Sequence, residues 1–323
     1  MEFPYLFSPI KINGMELKNR IVMTAMHLGY TPQGEVTDRL TDFYALRSRG
    51  GVGLIIAGGC PVDEHGGMSN MICIHHDRYI PGLRRLTGAV KSNGARIAAQ
   101  LYQAGRYTHS SMIGGHKPFS ASAVRSRLTG ETPRALETEE IPEVQQKFVE
   151  AAHRSKESGF DAVEILGSAG YLISQFLSPL TNRRKDAYGG CLENRMRFGV
   201  EIIEKIRKAV GPKYPLLMRL AGNDFMEGGN TNLEARAFAS ELEKTGVDLF
   251  NITGGWHETR IPQLTMFVPR KAYVYLAQGI KSVVSVPVLA SNRINDPAVG
   301  EEILRNGEAD LVTMARALLA DAD

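Results

Sequence analysis

Residues 285–316 read SVPVLASNRINDPAVGEEILRNGEADLVTMAR, and they hold one complete strand, helix and strand. A short aliphatic run over 286–290 gives way to Asp296-Pro297, a helix start in which the carboxylate caps free N–H groups and proline takes the first helical turn. The helical period then runs over 297–306. Gly307 offers the left-handed residue that ends a helix, and a second apolar run follows at 311–314. A strand buried on both faces, a crossover helix and another such strand make the unit of a parallel sheet.

Working outward, the same unit recurs along the chain. Apolar runs at 20–23, 53–57, 96–101, 162–166, 216–220 and 249–253 bring the strands to eight. Helical stretches lie at 37–49, 81–92, 142–158, 193–210, 233–245, 269–283 and 297–306. Thr37 and Asn232 are further candidate caps, Pro142 suits a first turn, and Gly94, Gly159 and Gly246 precede strands as helix-ending residues. Eight alternating units with no linker predict an α/β fold, a single TIM (β/α)8 barrel over residues 1–323. Ahead of the first strand, Asn13-Gly14 between two short apolar runs predicts a type I′ hairpin that plugs the N-terminal mouth. The segment 102–141, rich in Ser, Thr, Gly and Arg, predicts a long loop over the opposite mouth. The eighth helix reads as truncated.

Composition agrees with this reading. The 323 residues are 43% hydrophobic and 23% charged, the balance of a globular protein rather than of a disordered or fibrous chain. A net charge of +3 with scattered basic residues predicts no nucleic-acid partner and points instead to a small molecule. No signal pattern opens the chain and no apolar run reaches the roughly 18 residues of a membrane span, so a cytoplasmic location with no membrane partner is expected. Cys60, Cys73 and Cys191 are too scattered for a metal or disulfide framework. No metal site is expected.

Barrel chemistry sits at the C-terminal ends of the strands. There the sequence places Ala25, Met26 and His27 after strand one, Gly58 and Gly59 after strand two, and Gln100 at the end of strand three. Strand five carries Arg219. Asn292 and Arg293 follow strand seven, and Ala315 and Arg316 follow strand eight. Two arginines at the last two junctions suit one phosphate group, the alternative being ordinary surface ion pairs. Gln100 and Arg219 supply an amide that can both donate and accept and a permanent cation, which together suit the pyrimidine edge and N1/O2 of a flavin. The alternative is that Arg219 pairs with Glu164 inside the barrel.

Five stretches, LFSPIKINGMELKNRIVM, GYLISQFLSPLTNRRKDAYGGCLENRMRF, GGWHETRIP, NRINDP and VTMARALLAD, resemble the Old Yellow Enzyme superfamily, the NADH:flavin oxidoreductases. The resemblance spans essentially the whole chain. It implies FMN with Ala25, Met26 and His27 along one edge of the ring, Gly59, Gln100 and Arg219 on the ring, and Asn292, Arg293, Ala315 and Arg316 near the phosphate. NADH or NADPH is the implied electron source. The superfamily's paired substrate-binding residues after strand four are replaced here by Leu166 and Ala169. Tyr171 and His257 stand instead, a combination similar to the FMN barrel of bacterial 2,4-dienoyl-CoA reductases, where a tyrosine donates a proton and a histidine assists it.

That branch implies an ene-reductase acting on a conjugated C=C of an enoyl or dienoyl substrate, a CoA thioester in the first instance. Enoates, aromatic acyl-CoA and steroid thioesters are the alternatives, as is a non-catalytic flavin electron-transfer subunit. Such relatives continue into a 4Fe–4S cluster and an FAD- and NADPH-binding module whose motifs are absent from these residues. The resemblance therefore predicts a fragment of a longer polypeptide, with electrons arriving from a further domain or subunit or directly from NAD(P)H.

Overall fold

The computed structural model describes residues 2–67, 69–262 and 265–323. In chain order the first elements are the strands β1 (Ile10–Ile12), β2 (Met15–Leu17) and β3 (Ile21–Met23), helix α1 (Asp38–Arg49), strand β4 (Leu54–Pro61), helix α2 (Ile80–Lys91) and strand β5 (Arg96–Tyr102). The long excursion holds the two-residue strands β6 (Phe119–Ser120) and β7 (Arg134–Ala135), and α3 (Ile141–Glu157) and β8 (Ala162–Gly167) follow. Next come α4 (Leu172–Leu177), α5 (Leu192–Val210), β9 (Leu216–Ala221), α6 (Asn232–Lys244), β10 (Leu249–Thr253) and α7 (Val274–Lys281). The chain closes with β11 (Val288–Ala290), α8 (Pro297–Arg305), β12 (Leu311–Met314) and α9 (Arg316–Ala320).

Eight of these strands, β3, β4, β5, β8, β9, β10, β11 and β12, pair in parallel and close into a barrel in chain order. Every second residue of a strand points into the barrel, so the register stacks side chains in layers. The lowest layer is aliphatic: Val22, Leu54, Ala98, Ala162, Leu217, Leu249, Leu289 and Leu311 pack with Ile12, Met15 and Leu17 of the hairpin. The hairpin therefore plugs the mouth as expected. One layer higher the filling turns polar on four consecutive strands, with Gln100, Glu164, Arg219 and Asn251, whose register pairs Gln100 with Glu164 and Arg219 with Asn251. Outside the strands, helices such as α3 and α5 cover the sheet with Phe148, Phe198, Ile202 and Ile206.

Several boundaries depart from the sequence reading. The turn of the hairpin is not type I′: Asn13 takes φ 50° while Gly14 stays out of the left-handed region. Tertiary contact accounts for it, since the Asn13 amide donates to Pro212 O and Asp248 Oδ1 at 2.8 and 3.0 Å, and a Cβ at Gly14 would lie 2.9 Å from Lys213 O. Gly58 and Gly59 lie inside β4, at a shift of register between Ala57 and Cys60, rather than after the strand. Helix α7 starts at Val274 rather than at 269, because Lys271 has φ 68°, outside the helical region, where its N–H donates to Arg293 O.

Asn232 is not a cap. Thr231 caps α6, in a capping box with Glu234, and the Asn232 amide reaches Gly222 O at 2.9 Å. Helix α4 has no counterpart in the sequence reading: all six of its residues, LISQFL, are buried, so it shows no polar face and no period. The eighth helix, α9, is five residues long. Gly94, Gly159, Gly246 and Gly307 all take positive φ, as helix-ending residues do.

Candidate active site

A cavity of about 500 Å³ opens at the C-terminal ends of the strands. A second, of about 330 Å³, adjoins it and shares Thr24, Arg219, Asn292, Ala315 and Arg316 with the first. The larger cavity is bordered by Ala25, Met26, His27, Gly59, Gln100, Tyr171 and His257 as well, and Arg293 borders the smaller one. Every residue that the resemblance assigned to the site is thus at one or both cavities, whereas Gly58 borders neither.

The polar layer of the barrel fixes the floor. Gln100 Nε2 donates to Glu164 Oε1 and Asn251 Nδ2 to Glu164 Oε2, each at 2.7 Å. Glu164 is wholly buried, which pushes its carboxyl up, while the Arg219 charge and the two amides oppose that shift. Arg219 makes no ion pair with Glu164 and instead donates from Nη1 to Thr24 Oγ1. With one Gln100 N–H held by Glu164, its carbonyl oxygen, an acceptor, and its second N–H, a donor, are left over. Gly59 has no space for a side chain, since a Cβ there would lie 2.8 Å from the Tyr102 ring, so backbone alone faces the cavity.

At the far end, Asn292 and Arg293 take consecutive left-handed conformations, φ 69° and 59°. Asn292 Oδ1 accepts from Thr253 Oγ1 at 2.7 Å and the Gly254 N–H at 3.3 Å, tying the end of β11 to that of β10. Arg293 Nε donates to Val268 O at 2.7 Å. Neither Arg293 nor Arg316 pairs with a carboxylate among the described residues, so both guanidinium groups stay available to an anion in the smaller cavity.

The roof is aromatic. After β8 the chain turns through Ala169 at φ 61° and Gly170 at φ 89°. Ala169 forms a parallel bridge with Trp256, and the His257 N–H donates to Ala169 O at 3.2 Å. This splice between two βα loops sets His257 Nε2 3.1 Å from the Tyr171 hydroxyl, with ring centroids 5.3 Å apart at 82°. Gly170 is required here, because a Cβ would lie 2.4 Å from the Tyr107 hydroxyl. Tyr102 and Tyr107 meet the Tyr171 ring edge-on at 5.3 and 5.8 Å. Behind them Trp256 Nε1 donates to the buried Asp224 at 2.9 Å.

Burial raises the Tyr171 phenol above its usual value, with Arg219 opposing. His257 keeps solvent contact as a residue, yet packing around its ring, and then the Arg219 charge, hold the imidazole below its usual value, opposed by Glu258. At neutral pH the pair is therefore a protonated phenol beside a neutral imidazole.

These features fit a flavin mononucleotide. A cationic guanidinium and the Gln100 amide border the cavity beside a side-chain-free strip of backbone, and two arginines with no carboxylate partner among the described residues stand where the phosphate would lie. The family model described as "NADH:flavin oxidoreductase / NADH oxidase family" matches residues 5–323. The chain belongs to that family. FMN and NAD(P)H are typical of its flavin-dependent oxidoreductases.

Among curated relatives, the chain is 57% identical over 318 residues to a metal reductase of Desulforamulus reducens, covering 98% of this chain and 48% of that protein. It is 43% identical to an NADH oxidase of Thermoanaerobacter brockii, covering 99% and 50%. Among solved structures, a 2-naphthoyl-CoA reductase complex superposes with a TM-score of 0.95 at 34% identity, covering 99% of this chain and 51% of that one. The chain thus spans about half the length of these relatives. Among the described residues, no helix is long and apolar enough to cross a membrane.

Tyr102, Tyr107, Trp256, Arg106 and Glu258 were not singled out in the sequence. Trp256 and Glu258 flank His257 in GGWHETRIP, which was the available signal; nothing local marks Arg106 or Tyr107.

Proposed function

We propose that this barrel is an FMN-dependent ene-reductase that adds hydrogen across a conjugated C=C of an enoyl or dienoyl substrate, a CoA thioester in the first instance, with NAD(P)H as the ultimate donor. The observation that carries the reading is the 3.1 Å contact of Tyr171 and His257 at the wall of the cavity whose floor holds Gln100 and Arg219. When bound and reduced, the flavin supplies a hydride to the β-carbon of the alkene. The chain's own residues do the rest. Arg219 and the Gln100 amide hold and orient the ring, Ala25, Met26, His27 and Gly59 border its edges, and Asn292, Arg293, Ala315 and Arg316 take the phosphate.

Hydride addition leaves an enolate that needs a proton at its α-carbon. Tyr171, kept protonated by burial, donates it, and His257 takes part in restoring the phenol from solvent. Tyr102 and Tyr107 pack edge-on against the Tyr171 ring and hold it in place. The resemblance to 2-naphthoyl-CoA reductase in fold supports an electron-poor acyl thioester.

A second reading, electron delivery to an oxidised metal species as substrate, is favoured by the 57% identity to a metal reductase. That reaction requires neither Tyr171 nor His257, so one variant separates the two. FMN-loaded, photoreduced protein is mixed anaerobically with a 2-enoyl- or 2,4-dienoyl-CoA and flavin reoxidation is followed. The wild type reoxidises, and Tyr171→Phe is slowed about 100-fold or more with FMN affinity unchanged. Equal rates for both proteins remove Tyr171 as the acid; a wild-type flavin that stays reduced with every thioester yet reoxidises with ferric citrate supports the second reading.

A further inference from the structure

The residue after His257 carries a carboxylate that the reaction above does not use. Glu258 has a side chain only 3% exposed, and its side-chain partners among the described residues come from the long excursion after β5. Its Oε2 accepts from Arg106 Nη2 and from the Tyr107 hydroxyl, the latter at 3.0 Å, and its Oε1 accepts from the Arg127 N–H at 2.6 Å. Arg106 is itself anchored, Nη1 donating to Arg125 O at 2.7 Å and the backbone N–H to Gln175 Oε1 at 3.1 Å. The Tyr107 ring meets both Tyr171 and His257 edge-on, each at 5.8 Å between centroids. Glu258 therefore grips, through one tyrosine, the ring that packs on both members of the proton-handling pair.

We infer that Glu258 is the positioning residue of the Tyr171–His257 pair, clasping the loop after β10 to the excursion after β5 through Arg106 and Tyr107; the inference rests on the function proposed above. The arrangement also has an electrostatic side. The groups facing His257 are Tyr171, Tyr107, the cation Arg219 and Glu258; those facing Glu258 are Arg106, Tyr107 and the Arg127 backbone. Burial and Arg219 lower the imidazole and Glu258 opposes them. Burial and Glu258 hold the Tyr107 hydroxyl far above its usual value, so it remains a donor to the carboxylate and does not compete with Tyr171 as an acid. Arg106 offsets part of the Glu258 charge.

A clasp with this charge layout gives two variants opposite signs, which loss of packing alone does not. The His257 ring C–H signal, identified by its loss in His257→Asn, is titrated by NMR in the full chain with and without FMN. Glu258→Gln keeps the shape and the acceptor for Tyr107, and its His257 midpoint falls by about one pH unit. Arg106→Gln leaves the Glu258 charge uncompensated, and the midpoint rises. In parallel, reoxidation of the photoreduced flavin by an enoyl-CoA slows tenfold or more in Glu258→Gln, and the pH profile moves with the NMR midpoint. Midpoints and rates equal to wild type in both variants overturn the clasp. A wild type that is not reoxidised by thioesters overturns the proposed function instead, and the two titrations still decide the clasp.

Discussion

At Arg219 a guanidinium stands in the barrel wall with one described hydrogen bond, to Thr24, inside the field of the buried Glu164. Arginine is the residue type that tolerates this position, since it holds its proton against desolvation where a lysine would yield it. The same charge lowers His257 and opposes the rise of Tyr171. Arg219→Gln is accordingly expected to weaken FMN binding tenfold or more in a fluorescence-quenching titration, and to move the His257 NMR midpoint upward, toward 6.5. An unchanged FMN affinity counts against a ring contact. At this scale the sequence was informative about residue type and position: Gln100 and Arg219 face one cavity. It was silent on how the Gln100 amide is held, because that depends on Glu164, 64 residues away.

At the scale of elements, the loops after β8, β9 and β10 act as one piece. Trp256, spliced to Ala169, is held from behind by Asp224, which also accepts from the Asn230 N–H at 2.8 Å and the Ser178 hydroxyl at 2.9 Å. Burial outweighs those donors and pushes the Asp224 carboxyl up to about 6. An acid whose value is higher folded than unfolded binds its proton more tightly in the native state, so its stabilisation is full below about pH 4 and is lost as pH rises through about 6. Its size is on the order of 2–3 kcal/mol. Denaturant midpoints measured from pH 4 to 7 are expected to show that decline from this group, and Asp224→Asn to flatten it. A slope unchanged in the variant removes Asp224 as its source. The elements themselves were largely readable, since a capped helical period between apolar runs is a local signal. Those that escaped, α4 and the true start of α7, lack a polar face or are set by contact with another loop.

Over the whole molecule, the closed barrel separates a structural end from a reactive one. Ile12 of the hairpin is wholly buried in the aliphatic layer at the plugged mouth, while the cavities lie at the opposite ends of the strands. Ile12→Ala is expected to cost about 2–5 kcal/mol of stability in chemical denaturation and to leave FMN affinity as in the wild type. A loss of FMN affinity would show that the plug and the site are coupled.

The sequence by itself determined the number and order of the β/α units, the plug, the helix-ending glycines and the set of residues gathered at the strand ends. All of these follow from hydrophobic period, caps and turns, whose physics is confined to neighbouring residues, or from strand ends that any parallel barrel brings together. Only the tertiary structure decided the hairpin turn, the bond of Gln100 to Glu164, the absence of an Arg219–Glu164 pair, and the grip of Glu258 on Arg106 and Tyr107 from 152 and 151 positions away. Such pairings are made where the barrel closes and its loops meet, and a carboxylate beside a histidine in a loop carries no local mark of the arginine that will bury it.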